Sequence, residues 1–254
     1  PAYEAGILAG DFIIQIDDTP VFGLTLNESV ELMRGEKGKA VRLTISREGV
    51  EPFDVTVVRD IIKIQSVKHE VYNDIGYLRI TSFTEQTEEG LLKAINTIQT
   101  ENEGINGYIL DLRSNPGGLL NQAVKVTDIF LKRGEIVSTR GRETKDIRRY
   151  RAKNKDLTNG KPIVVIINGG SASASEIVAG ALQDHRRAIV IGTQSFGKGS
   201  VQTIIPFQRS NSDNISGIRL TTARYYTPSG ESIQGKGIVP DIIIEQGEFE
   251  SFDF

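Results

Sequence analysis

Between Pro162 and Gly180 the chain runs from an apolar segment, Pro162-Ile-Val-Val-Ile-Ile-Asn168, into two glycines. Three serines alternating with alanine follow, Ser171-Ala-Ser-Ala-Ser175, and Glu176-Ile-Val-Ala-Gly180 opens a helical pattern. Few folds accommodate this order. A buried strand must feed a sharp turn, and small residues must let another backbone approach the hydroxyls. The first N–H groups of the helix are then left without partners beside them. Two readings of the serines stand side by side: one is a nucleophile, or all three merely cap the helix.

A hydroxyl nucleophile needs a base. The chain has only two histidines. His69 lies early on a strand, and His185 sits about three turns along the helix that the serines begin. Neither placement suits a Ser-His-Asp triad. Lysine is the alternative, provided that an apolar site disfavours its charged form. Lys198 follows Ser173 by 25 residues, between Gly197 and Gly199 and after Phe196. The glycines would allow close approach and Phe196 would exclude water; the plainer alternative is an exposed lysine in a Gly-rich turn. Gln202, an even number of residues on, would share a side with Lys198 in an extended segment and hold its amine; otherwise it is an ordinary polar strand residue. Asn115-Pro-Gly-Gly118 follows another apolar run, Gly107-Tyr-Ile-Leu-Asp-Leu112, and could expose a backbone N–H from Gly117 or Gly118 to an oxyanion.

Composition sets the remaining bounds. A chain of 254 residues with 38% hydrophobic and 25% charged residues suits one large or two modest globular domains. A net charge of −3 argues against nucleic acid as a partner. The basic segment with Arg142, Lys145, Arg148, Arg149, Arg151, Lys153 and Lys155 reads as a solvated loop. Without cysteine the chain has no disulfide, thiolate chemistry or thiolate zinc site, and no metal or cofactor is called for. No run reaches the roughly 18 apolar residues of a membrane span. The chain opens on Pro1 without an initiator Met and in what reads as the middle of a domain, so it is expected to be a fragment of a longer protein.

Residues 1 to about 60 alternate between strand-like and helical patterns: Asp11–Asp17 and Lys39–Arg47 alternate, Leu26–Arg34 carries a helical stripe, and Glu48-Gly49 turns back to Pro52–Arg59. The run A-G-I-x-x-G-D-x-I-x-x-I-D, an L-x-E-x-V helix and the paired strands resemble a bacterial PDZ domain whose first strand and carboxylate-binding loop are expected upstream of Pro1. Leu26, Val30 and Met33 are candidates either for its peptide groove or for plain core packing. Arg34 suits the helix C-terminus. Residues 61–254 alternate strands with helices, which indicates α/β layering.

In this second part D-L-R-x-N-x-G-G at Asp111–Gly118, S-A-S-A-S-E at Ser171–Glu176 and G-T-x-S-F-G-K-G at Gly192–Gly199 resemble the carboxy-terminal processing, or tail-specific, proteases. These are Ser/Lys peptidases of the S41 type. The resemblance implies a crotonase-like (ClpP-like) α/β spiral preceded by a partial α+β PDZ domain. It implies Ser173 as nucleophile, Lys198 as general base, Gln202 as its orienting partner, and the N–H groups of Ala174 and of Gly117 or Gly118 as oxyanion donors, Gly117 slightly preferred. It implies protein or peptide substrates recognised by their C-terminal tails, and a bacterial cell envelope location, periplasmic. Peripheral membrane association of the full-length protein and homo-oligomer formation are compatible with it.

Overall fold

Short alternating runs and glycine-punctuated apolar runs fold here into two units, Pro1–Ile64 and Gln65–Phe254. The structure is a computed structural model that describes residues 1–61, 65–102, 104–153, 156–207 and 217–245.

The first unit consists of β1 (Phe12–Ile16), β2 (Thr19–Pro20), α1 (Leu26–Met33), β3 (Ala40–Arg47) and β4 (Val50–Val58), with the strands in the order β2-β1-β3-β4. The period-two pattern turns Val41, Leu43 and Ile45 of β3 inward with Val55, Val57 and Ile16. Thr25 starts α1 through a capping box: its N–H donates to Glu28 Oε2 at 2.7 Å, and the Glu28 N–H donates to Thr25 Oγ1 at 3.3 Å. The end of α1 is closed by Arg59, whose guanidinium donates to the carbonyls of Met33 (2.8 Å) and Leu32 (3.2 Å). Arg34 sits at the helix C-terminus as expected, its N–H donating to the Val30 carbonyl at 2.9 Å and its guanidinium pairing with Glu31 at 3.0 Å. The three groove candidates separate. Met33 packs on the core, Val30 is half-buried, and Leu26 is 79% exposed.

The second unit has two sheets. In the first, β5 (Val67–Tyr72), β6 (Ile75–Ile80), β7 (Gly107–Asp111), β10 (Ile163–Ile167), β11 (Ile189–Gly192) and β14 (Ile242–Ile243) lie in the order β14-β11-β10-β7-β6-β5. All neighbours are parallel except the β5–β6 hairpin. The second sheet is antiparallel: β8 (Glu135–Arg140), β9 (Arg148–Arg151), β12 (Ser200–Pro206) and β13 (Gly217–Tyr226), in the order β12-β13-β8-β9. The helices α2 (Thr87–Glu101), α3 (Leu120–Asp128) and α4 (Ala174–Asp184) cover one core of Leu, Ile and Val residues. β7 and β10, in the middle of this sheet and buried or half-buried at every position, read as short apolar runs.

Two segments differ from expectation. Arg148–Arg151 is a strand rather than a loop, since the half-buried Tyr150 packs on the core and Arg149 pairs with Glu135 at 2.6 Å. Lys155 lies outside the described residues. The strand expected over 239–245 shrinks to Ile242–Ile243. Among the described residues, no helix is long and apolar enough to cross a membrane.

Candidate active site

Parallel pairing fixes which loops meet. β10 lies between β7 and β11, with Ile166 opposite Asp111 and Ile167 opposite Gly192. The three loops leaving the carboxyl ends of these strands therefore emerge side by side, as expected of a site in a parallel α/β sheet. They carry Asn115–Gly118, Ser171–Ser175 and Ser195–Gly199.

The three serines have different surroundings. Ser171 is buried; its hydroxyl donates to the Leu112 carbonyl at 2.8 Å and accepts the Asn168 N–H at 3.0 Å. Ser175 is buried and donates to the Asn115 carbonyl at 2.9 Å. Both hydroxyls pin this turn to the loop after β7. Ser173 is the partly exposed one. Its backbone sits at φ 55°, ψ −111°, a left-handed conformation that a non-glycine residue adopts at a cost of roughly 1–3 kcal/mol.

Glu176 holds this geometry. Its carboxylate is fully buried and accepts four hydrogen bonds. Oε2 takes the N–H groups of Ser173 (2.7 Å) and Lys198 (2.9 Å), while Oε1 takes the Ser195 hydroxyl and the Gly197 N–H, both at 2.6 Å. The backbone nitrogens of Ser173 and Lys198, bound to one oxygen atom, are therefore no farther apart than about 6 Å. In the sequence, Glu176 stands out only as part of the S-A-S-A-S-E motif. Its signal was a lone acid in a helix whose residues from Ala174 to Leu182 are otherwise small or apolar, all of them buried.

The Lys198 turn rests on the loop over 233–238. Gly235 N–H donates to the Gly197 carbonyl at 2.8 Å, Gly199 N–H to Gln234 Oε1 at 3.1 Å, and Ile238 N–H to Ser195 Oγ at 2.7 Å. These bonds draw the backbone inward and leave the side chains on either side of Gly197 pointing out. Lys198 is consequently exposed and Phe196 is 68% exposed, contrary to the expected apolar enclosure. Gln202 is also exposed, and its amide oxygen accepts from Arg219 at 3.3 Å. The expected shared side with Lys198 assumed one continuous extended run, whereas β12 begins only at Ser200 and its register slips between Val201 and Gln202.

The glycine pair is fixed by Phe83, whose N–H donates to the Gly117 carbonyl and whose carbonyl accepts the Leu119 N–H, both at 2.9 Å. A side chain at Gly117 (φ 97°) would put its Cβ 2.6 Å from Ala172 O, 2.8 Å from Ala174 N and 2.8 Å from Ser173 Cβ. The Gly117 N–H donates to Asn115 Oδ1 at 2.9 Å and is thus occupied. Among the described residues, no acceptor meets the N–H of Gly118 or that of Ala174, the first residue of α4. Behind the loop, Asp111 is buried and receives Arg113 (Nη2, 2.6 Å) and the Tyr77 hydroxyl (2.6 Å). Burial alone would raise this carboxyl, but the Arg113 and Tyr77 hydrogen bonds outweigh it and hold it below the usual range. No group of three or more His, Asp or Glu side chains that could hold a metal occurs among the described residues.

A strained serine on a strand–turn–helix elbow, with unpartnered N–H groups beside it, is an arrangement suited to nucleophilic attack on a carbonyl. The family model of peptidase family S41 matches residues 74–244, and that of the PDZ domain matches 1–47. The chain belongs to peptidase family S41. A carboxy-terminal-processing protease of Bartonella bacilliformis is 61% identical over 249 residues, covering 97% of this chain and 56% of that protein. The carboxy-terminal processing protease CtpA of Bacillus subtilis is 39% identical, covering 100% of this chain and 53% of its own length. The chain thus spans about half the length of these curated relatives. Among solved structures, the photosystem II D1 C-terminal processing protease superimposes with a TM-score of 0.63 at 32% identity, over 96% of this chain and 66% of that one.

Proposed function

We propose that this chain forms the PDZ and catalytic portion of a serine endopeptidase that cleaves protein substrates recognised by their C-terminal tails. The observation that carries this reading is the buried Glu176 carboxylate, which binds the backbones of Ser173 and Lys198 through one oxygen. That separation is within reach of a lysine's four-carbon stem.

In this mechanism the Lys198 amine, shielded by bound substrate and neutral, takes the proton of the Ser173 hydroxyl as that oxygen attacks the peptide carbonyl. The oxyanion accepts the free N–H groups of Ala174 and Gly118. Gly118 takes the donor role in preference to Gly117, whose N–H already serves Asn115. Lys198 then protonates the leaving amine and activates the water that releases the acyl group. Gln202 would orient the lysine only after exchanging Arg219 for it. The exposed Leu26 and the half-buried Val30 form the wall for an extended tail, while Met33 supports α1 from the core side. We read the two sheets of the second unit as a crotonase-like spiral, and place the whole protein in the bacterial cell envelope, on the periplasmic side.

The test is cleavage of an unfolded, tail-bearing protein by purified wild type, Ser173→Ala and Lys198→Ala. Both variants should melt within about 2 °C of wild type and lose at least about a thousandfold in kcat. Cleavage retained by either folded variant would refute the dyad.

A further inference from the structure

We propose that the outer edge of β12 takes up an extended, uncharged segment of the substrate as an added strand, and thereby selects what reaches Ser173; this rests on the protease reading above. Edge strands invite pairing with other chains, and folded proteins blunt them with charge, proline or short length. Among the described strands the edges follow that rule in all but one case. β9 carries Arg148, Arg149 and Arg151, β5 carries Lys68, His69 and Glu70, and β4 carries Glu51, Pro52 and Asp54, while β2 and β14 have two residues each. β12 has seven residues, Ser200-Val-Gln-Thr-Ile-Ile-Pro206, with no charge among them. Its one protective residue, Pro206, is the last. Residues 202–206 are exposed, and among the described residues no strand lies on the side away from β13.

The ribbon that β12 belongs to is also thin. β13 pairs with β8 only from Arg224 to Tyr226, so among the described residues its earlier part has β12 as its sole partner. A two-stranded ribbon of this kind is marginal in water. Cross-strand pairing puts Ile205 beside Ile218 and Thr203 beside Leu220 on one face, and Ile204 beside Arg219 on the other. Ile204 is 68% exposed, and Ile205, Ile218 and Leu220 are exposed as well. The register slip lies at the Lys198 end, and from Gln202 to Pro206 the ladder is regular. A third strand would find unpaired N–H and C=O groups at about every second residue and apolar side chains on both faces. Next to Ile204 and Ile205, β-branched or aromatic side chains fit best, whereas a charge would be desolvated against isoleucine.

Backbone bonds show which side of the strand faces the nucleophile. Just before β12 the Gly199 carbonyl accepts the Tyr225 N–H of β13 at 2.7 Å, whereas the Lys198 N–H points to Glu176 Oε2, which also accepts the Ser173 N–H. The chain thus enters the sheet with β13 on one side and the Ser173 turn on the other, and the free edge continues the Ser173 side. The two nitrogens on Oε2 are no more than about 6 Å apart, and Ser200 lies two residues beyond Lys198, at most about 7 Å further. About four extended residues of a peptide bridge that span. A second copy of the chain on this edge would occupy the side from which a peptide approaches Ser173, so the edge is assigned to substrate.

Pairing is measured first, without catalysis. Amide hydrogen exchange of β12 is followed by NMR in the 15N-labelled Ser173→Ala full chain. One probe is a synthetic peptide of alternating valine and threonine with a lysine at each end, and the other is the same peptide with every amide N-methylated. The first should slow exchange of outward-facing β12 amides at least about tenfold, and the second should not. No slowing, equal slowing by both peptides, or protection that needs no peptide and grows with protein concentration, as pairing between copies would give, overturns the added strand. Selection is then read from cleavage. Each position of one cleavable peptide is made valine, glutamate or lysine in turn, and kcat/KM is compared for wild type, Ile204→Lys and Ile204→Glu, changes at an exposed position. At the peptide position beside Ile204, wild type should favour valine about two- to fivefold, Ile204→Lys should favour glutamate, and Ile204→Glu should favour lysine. The same ranking in all three enzymes at every position would overturn the role in selection. A chain that binds the peptide along β12 yet cleaves nothing would instead refute the protease reading and leave the added strand standing.

Discussion

Glu176→Gln is nearly isosteric, yet it should disable the site. The carboxylate accepts two backbone N–H groups on Oε2 and one backbone N–H plus a hydroxyl on Oε1. A glutamine amide must turn its NH2 toward one of these pairs. Toward Ser173 and Lys198 it would oppose two donors that cannot rotate. Toward Ser195 the hydroxyl can adjust, but the Gly197 N–H cannot. The better orientation still loses one charge-assisted bond of about 1.5–3 kcal/mol and leaves a buried N–H unpaired, at about 1–3 kcal/mol more. The remaining bonds weaken as the charge disappears. The total is roughly 3–5 kcal/mol, and a domain of this size loses about 2–4 °C of Tm per kcal/mol, so a fall of about 6–20 °C is expected. Displacement of the Ser173 and Lys198 turns by even 1 Å should lower kcat about a hundredfold. Differential scanning calorimetry and cleavage assays on the same preparation measure both. A Glu176→Gln protein with wild-type Tm and kcat would show that the carboxylate is not what holds the two turns.

Gly117→Ala should cost roughly 3 kcal/mol or more, because a Cβ there meets the backbone of Ala172 and Ala174 at φ 97°, and urea titration of the purified variant would reveal it. Asp111→Asn should destabilise by about 2–3 kcal/mol at pH 7, less than for a fully buried pair because Arg113 stays in contact with water. The Asp111 carboxyl is depressed in the folded state, so its contribution is present above its unfolded pKa of about 3.9 and is lost as pH falls through the lower folded value. Acid denaturation curves for wild type should therefore steepen below about pH 4 relative to Asp111→Asn, and superimposable curves would contradict this.

The elements with strong periodicity were legible: β7, β10 and α4 appear where apolar runs and small residues place them. The membership of peptidase family S41 was also legible, because its motifs lie in the loops that follow β7, β10 and β11. What escaped depends on contacts between distant segments. Glu176 reads locally as a residue three positions beyond a serine, and its bonds to Ser195, Gly197 and Lys198 exist only because β11 lies beside β10. The sequence leaves an enclosed and an exposed Lys198 side by side, because flanking glycines say how closely a backbone can approach, not which way the side chain between them points. For Gln202 parity decides less than it promises: an even spacing places two residues together only along an unbroken strand, and this one starts between them. The occupied N–H of Gly117 needed the side chain of Asn115, two residues back, in its observed rotamer.

The Lys198 turn has a kinetic corollary. Its backbone is tethered at Gly197, Lys198 and Gly199, whereas its side chain is exposed. In the proposed mechanism, bringing the amine to Ser173 therefore calls for rotation about side-chain bonds, a motion of picoseconds to nanoseconds at exposed positions, rather than for loop refolding. Immobilising a lysine side chain forfeits up to about 2 kcal/mol of rotamer entropy, a factor of about 30 in population. A substrate that covers the amine must offset that loss, so peptides long enough to drape over the turn should be cut faster than short ones offering the same scissile bond.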